Sequence, residues 1–163
     1  MTLAETCHDV ATAVLTNCQN RRWRIGTAES CTGGLLAAAL TAIPGSSAVF
    51  ERGFVAYTNT AKHELLGVSE EKLTQYGAVS KETATAMVAG TLAWTPVELA
   101  VGITGIAGPG GGSDTKPVGL VYIGVGVENY TPQIARCVFE GDREAVRNAS
   151  VLKALNMLRE ATS

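Results

Sequence analysis

Apolar residues recur at Leu3, Cys7, Val10, Val14 and Cys18, the three- and four-residue steps of an amphipathic helix that stops near 17–20. A short strand is expected over 23–28, and Ser30 and the pair Gly33-Gly34 follow it. An alanine-rich helix then covers 35–42 and is ended by Pro44-Gly45. Residues 49–57 mix β-branched and aromatic side chains and fit a second strand. Two short helices follow, one over 60–66 closed by Gly67 and one opened by Ser69 that ends near Gly77. Ser80 can cap a longer helix reaching Trp94, with Pro96 beyond its end. The run 97–104 is apolar throughout and reads as a central strand covered on both faces. A Gly/Pro/Ser/Asp loop fills 105–117, and strands over 118–127 and 133–139 are close enough to pair antiparallel. Asp142 caps a last helix with Val146, Ala149, Leu152, Leu155 and Leu158 on one face.

This order predicts an α/β fold: a three-layer α/β/α sandwich whose mixed, mainly parallel sheet ends in an antiparallel hairpin. With 163 residues, 46% of them apolar, a single domain over 1–163 is expected. Thirteen basic and 15 acidic residues leave a formal charge of −2 with no basic run, which argues against nucleic acid as a partner. No stretch has the roughly 18–20 apolar residues of a membrane span, and the start lacks the pattern of a signal peptide. The four cysteines form no C-x-x-C pair, so a reducing, cytoplasmic setting is expected. Apolar helical faces on so small a chain point to a homodimer.

The chemistry centres on Ala28-Glu29-Ser30-Cys31-Thr32-Gly33-Gly34. A serine between a strand and a glycine-rich helix start has its hydroxyl near free backbone N–H groups, here those of Thr32, Gly33 and Gly34, which suit an oxyanion or phosphate. On spacing alone Ser30 or Thr32 reads first as a helix cap. A nucleophilic serine needs a base. Only two histidines exist, and of these only His63 could join a Ser-His-Asp triad, with no orienting acid in evidence. Lys62, just past the second strand, sits at the same end of a parallel pair as Ser30 and can act once burial leaves it neutral, although most lysines on short helices lie at the surface. Tyr57, at the end of the same strand, could bond Ser30 or the substrate, hold Lys62, or be a half-buried strand-end aromatic.

Taken with Pro44-Gly45-Ser46-Ser47, the stretch 53–62, Gly77-Ala78-Val79-Ser80, and the run from Gly105-Ile106-Ala107-Gly108-Pro109 to Lys116-Pro117-Val118-Gly119, this segment resembles the CinA C-terminal domain family over about residues 5 to 160. The resemblance implies an amidohydrolase that converts nicotinamide mononucleotide to nicotinic acid mononucleotide and ammonia, a step of pyridine nucleotide salvage. It implies Ser30 as nucleophile, Lys62 as base and Tyr57 as an assisting hydroxyl, with neither metal nor cofactor. The scattered histidines and cysteines likewise offer no zinc-like spacing. Longer members of the family carry a further N-terminal domain without counterpart in these 163 residues. A non-catalytic nucleotide-binding module with a competence-related role is the competing class, and it leaves Ser30, Tyr57 and Lys62 together without a purpose.

The glycine-rich loop after 104 is either a wall for the mononucleotide, approached closely at Gly105 and Gly108, or a flexible connection. It fits neither a dinucleotide fingerprint nor a P-loop. Arg143 and Arg147, one turn apart, are candidates for the phosphate or else solvated. Glu29 could orient Lys62 or the pyridinium, or cap a turn. Ser46 and Ser47 could line the pocket or build the turn after Pro44.

Overall fold

The computed structural model describes all 163 residues. Its first element, α1 (Leu3–Arg21), opens with a reciprocal capping box between Thr2 and Glu5, and its chain-reversing cap at Arg22 carries the backbone into β1 (Ile25–Glu29). That cap explains why β1 begins two residues later than expected: Trp23 still donates its N–H to Cys18 O. There follow α2 (Leu35–Thr41), a 3-10 turn at Ser46–Ala48, β2 (Phe50–Val55), α3 (Asn59–Leu66), α4 (Glu70–Tyr76), α5 (Lys81–Trp94), β3 (Leu99–Gly105), β4 (Leu120–Val127), β5 (Gln133–Val138) and α6 (Arg143–Thr162). Every element read from the sequence is present, with ends displaced by a residue or two. No helix is long and apolar enough to cross a membrane.

The five strands form one sheet in the order β2-β1-β3-β4-β5. Pairing is parallel for β2 with β1 and β1 with β3, then antiparallel for β3 with β4 and β4 with β5, so only β4 opposes the rest. Helices α1, α2 and α6 cover one face, where Leu99, Val101 and Ile103 of β3 join the larger apolar core. Helices α3, α4 and α5 cover the other. The expected three-layer sandwich is therefore the observed one.

Glycines line the part of the sheet that meets α5. A Cβ on Gly102, Gly124 or Gly126 would lie 2.5–3.2 Å from Met87 or Val88 of α5, so these glycines let the helix settle directly on the strands. Because β1 lies between β2 and β3, the chain runs from β1 out to β2 through α2 over one face and crosses back from β2 to β3 through α3–α5 over the other. A crevice forms at the carboxyl ends of strands where such connections diverge. Ser30 follows β1 directly there, donating its N–H to Ile103 O of β3, while Ala56 N–H bonds Glu29 O.

Helix α3 is held against α5 by Gly90, where an added Cβ would come within 2.0 Å of Leu66 O. Alanine in a helix interior normally gains about 0.5–1 kcal/mol over glycine, but here the clash is with backbone, and overpacking costs about 1–3 kcal/mol. The net effect of Gly90→Ala is predicted to be a loss of stability, seen as a thermal midpoint lower by several degrees. The displaced helix is the one that carries Lys62.

Candidate active site

The turn between β1 and α2 is closed by Gly33 N–H to Ser30 O (3.0 Å) and Leu35 N–H to Thr32 O (3.1 Å). Both Gly33 (φ +58°) and Gly34 (φ +101°) occupy the left-handed region that tolerates glycine. Helix α2 has Gly34 at its N-cap and no side-chain cap there, so neither Ser30 nor Thr32 serves as one. The task falls to Glu29. Its buried carboxylate accepts from Leu36 N (2.8 Å) and Ala37 N (3.0 Å), fastening the end of the strand to the start of the helix across the turn. Of the roles open to Glu29, the structure assigns the cap. These bonds also remove Gly33 and the first N–H groups of α2 from the possible oxyanion donors.

Helix α3 starts on a Thr58 cap, and its geometry turns Lys62 inward while its neighbour His63 faces solvent and bonds Val68 O. Lys62 is only 1% exposed. Its Nζ lies 2.9 Å from Ser30 Oγ, 3.1 Å from Ala56 O and 3.0 Å from Tyr57 O. No carboxylate pairs with it, since the one ion pair in the molecule joins Arg52 and Glu51. Burial therefore pushes its pKa below the ordinary 10.5. A neutral amine has two N–H groups and one lone pair. With the two carbonyls taking the N–H groups, the lone pair is left for the Ser30 hydroxyl. Cys31, beside the serine, stays a thiol near neutral pH, because burial pushes its pKa up to about 11.

Tyr57 takes part through its backbone: its carbonyl receives Lys62, and Ser30 Oγ lies 3.4 Å from the same oxygen. Its side chain is half exposed and its hydroxyl accepts from Arg143 Nη2 at 2.9 Å. Arg143 also donates to Gly108 O at 2.8 Å, tying the glycine-rich loop to the second strand's end. Ser30, Tyr57, Lys62, Gly105, Gly108 and Arg143 line one cleft of about 270 Å³. The loop is thus a wall of the cleft. At Gly108 (φ +83°) a Cβ would lie 2.6 Å from Val118 Cγ1, so the close approach there is to the protein's own strand entry.

Several expected residues lie elsewhere. Ser46 and Ser47 form the 3-10 turn that enters β2, at the opposite end of the sheet from Ser30, so they build the turn and do not line the cleft. Arg147 borders a neighbouring cleft, but its guanidinium donates to the carbonyls of Cys31 and Thr32. The structure adds Ala78 and Thr104 to the cleft, with the Thr104 hydroxyl on Ala78 O at 2.7 Å. Thr104 could have been noticed from its place at the end of the expected central strand, whereas Ala78 gives no such signal. No group of three His, Cys, Asp or Glu side chains gathers anywhere in the molecule.

Comparison with known proteins matches residues 7–162 to the CinA C-terminal domain. The chain belongs to the CinA C-terminal domain family. It is 49% identical over 154 residues to the nicotinamide-nucleotide amidohydrolase PncC of Enterobacter agglomerans, covering 94% of each chain. It is 48% identical over 140 residues to a putative competence-damage inducible protein of Caldicellulosiruptor bescii, covering 86% of this chain but 34% of that protein. The crystal structure of the competence/damage inducible protein CihA from Agrobacterium tumefaciens superposes with a TM-score of 0.93 at 46% identity, covering 96% and 95% of the two chains. This CinA domain thus spans nearly the whole of the first relative and about a third of the second.

The buried lysine gives the CinA domain a testable signature. Unfolded, Lys62 titrates at its ordinary 10.5, and folded it titrates lower. Between those values the unfolded chain binds the extra proton, so this residue makes stability rise with pH across the window and level off above 10.5. Wild type should therefore gain on Lys62→Met as pH rises through that window, by at most about 1.4 kcal/mol per pH unit. Paired thermal or urea unfolding curves measure this, and a pH-independent difference contradicts it.

Proposed function

We propose that this protein is a nicotinamide mononucleotide amidohydrolase working through a Ser30 nucleophile and a Lys62 base in the bacterial cytoplasm. The observation that carries the mechanism is the 2.9 Å contact between Lys62 Nζ and Ser30 Oγ, with the amine buried, without a carboxylate, and held by two carbonyls. The substrate rests on the amidohydrolase name of the relative that matches 94% of the chain.

In this reading Lys62 takes the Ser30 proton as Oγ attacks the carboxamide carbon. The oxyanion that forms is met by a backbone N–H of the turn, where Cys31, Thr32 and Gly34 have no acceptor within the chain. The protonated lysine gives its proton to the leaving nitrogen and ammonia departs. Water, deprotonated by the same amine, cleaves the nicotinoyl ester and frees Ser30. The cleft at Ser30 takes the pyridine ring. The larger neighbouring cleft, of about 800 Å³, shares Ala107 and Arg143 with it and takes the ribose and phosphate. A binding-only module gives no reason to hold an uncompensated lysine on a serine.

Incubation with nicotinamide mononucleotide should yield equimolar ammonia and nicotinic acid mononucleotide. Ser30→Ala is expected to remove turnover, by at least about 10⁴-fold, with little change in thermal midpoint. Lys62→Arg should be similarly inactive, because guanidinium does not deprotonate. In wild type, kcat/KM should rise with pH along an acid limb set by Lys62, below the usual lysine range. Absence of product from pure wild-type protein sinks the substrate assignment, and an active Ser30→Ala protein sinks the nucleophile.

A further inference from the structure

Arg147 offers a charge beside the proposed nucleotide cleft, yet its donors are already engaged. It lies in the second turn of α6, between the fully buried Val146 and Ser150, so its backbone is part of the packed core. From there Nε donates to Cys31 O at 3.1 Å and Nη2 to Thr32 O at 3.2 Å. These are consecutive carbonyls of the turn that carries Ser30. A guanidinium is a rigid planar fork, and two of its N–H groups on adjacent carbonyls fix the orientation of both peptide planes.

That orientation has a consequence on the far side of each plane. In a trans peptide the C=O and N–H point in opposite directions. The Cys31 carbonyl shares its peptide with Thr32 N–H, and the Thr32 carbonyl shares its peptide with Gly33 N–H. Gly33 N–H closes the turn on Ser30 O, while the N–H groups of Cys31, Thr32 and Gly34 meet no acceptor in the chain. Arg147 thus turns Thr32 N–H away from itself, and a cation on the carbonyl oxygen polarises that amide into a stronger donor. Glu29 performs the complementary task from the other side, anchoring the turn to α2.

We infer that Arg147 is a positioning residue for the nucleophile turn, fixing the peptide planes that follow Ser30, and is not a ligand of the substrate phosphate. The inference rests on the reading of Ser30 as nucleophile. Misplacing a reacting group by about 1 Å can cost on the order of 10²-fold in rate, so Arg147→Ala should lose kcat by about that factor with KM nearly unchanged. Arg147→Lys, which keeps the cation but not the fork, should fall between.

The test compares wild type, Arg147→Lys and Arg147→Ala, each checked for a cooperative thermal transition, on nicotinamide mononucleotide and on nicotinamide riboside, which has no phosphate. A positioning role lowers kcat by the same factor on both substrates, slows phosphonylation of Ser30 by a fluorophosphonate as read by intact mass, and allows partial rescue of Arg147→Ala by millimolar guanidinium. A phosphate role raises KM for the mononucleotide alone and leaves phosphonylation unchanged, and that result overturns the inference. Because phosphonylation needs no nucleotide, wild type that fails to hydrolyse the mononucleotide but labels at Ser30 in an Arg147-dependent way refutes the substrate and retains the positioning role.

Discussion

Taking a lysine ammonium out of water costs several kcal/mol unless a carboxylate accompanies it, and no carboxylate accompanies Lys62. What the fold supplies instead is a pair of main-chain carbonyls, from Ala56 and Tyr57, and a serine hydroxyl, all within 3.1 Å of Nζ. Carbonyls can accept from a neutral amine without stabilising its charge as an anion would. The environment thus pushes the Lys62 pKa down, and the rest of the site follows from keeping that amine dry and aimed.

Three separate pieces of architecture serve this one contact. The parallel pairing of β1 with β2 brings the end of one strand and the start of α3 to the same edge of the sheet. The glycine-lined face lets α5 lie close on the strands, and Gly90 lets α3 lie close on α5, so that Lys62 reaches inward. On the opposite face, Glu29 and Arg147 hold the serine turn from its helix side and from α6. Arg147 and Glu29, which a surface view would assign to substrate binding, are here committed to backbone, and Arg143, bonded to Gly108 O and to the Tyr57 hydroxyl, is the exposed cation on the shared wall of both clefts.

The periodicity of apolar residues determined the elements and their order, because a buried stripe at helical or strand spacing is a local property that survives without knowledge of neighbours. Alternation of strands and helices then limited the layers, and the short β4–β5 connection required an antiparallel pair. Ser30 and Lys62 were legible for the same kind of reason. Each follows a strand directly, and strand ends in such folds gather on one side of the sheet.

The roles of Glu29, Tyr57, Arg147, Ser46 and Ser47 were decided only in three dimensions. Sequence placed Glu29 next to the serine but could not show that its carboxylate points back to α2, since that depends on which face of β1 it occupies and how tightly Gly33-Gly34 turns. Tyr57 carries an obvious hydroxyl, yet the group that meets Lys62 is its main-chain carbonyl, which every residue type possesses and no pattern can reveal. Arg147 meets the serine turn across a separation of 116 residues, a contact set by how α6 packs on the sheet. Sequence determined which chemistry the chain carries and at which end of the sheet it lies. Hydrogen bonds to backbone, indifferent to side-chain identity and distant along the chain, decided which of these side chains face the cleft and which are bound to the turn beside it.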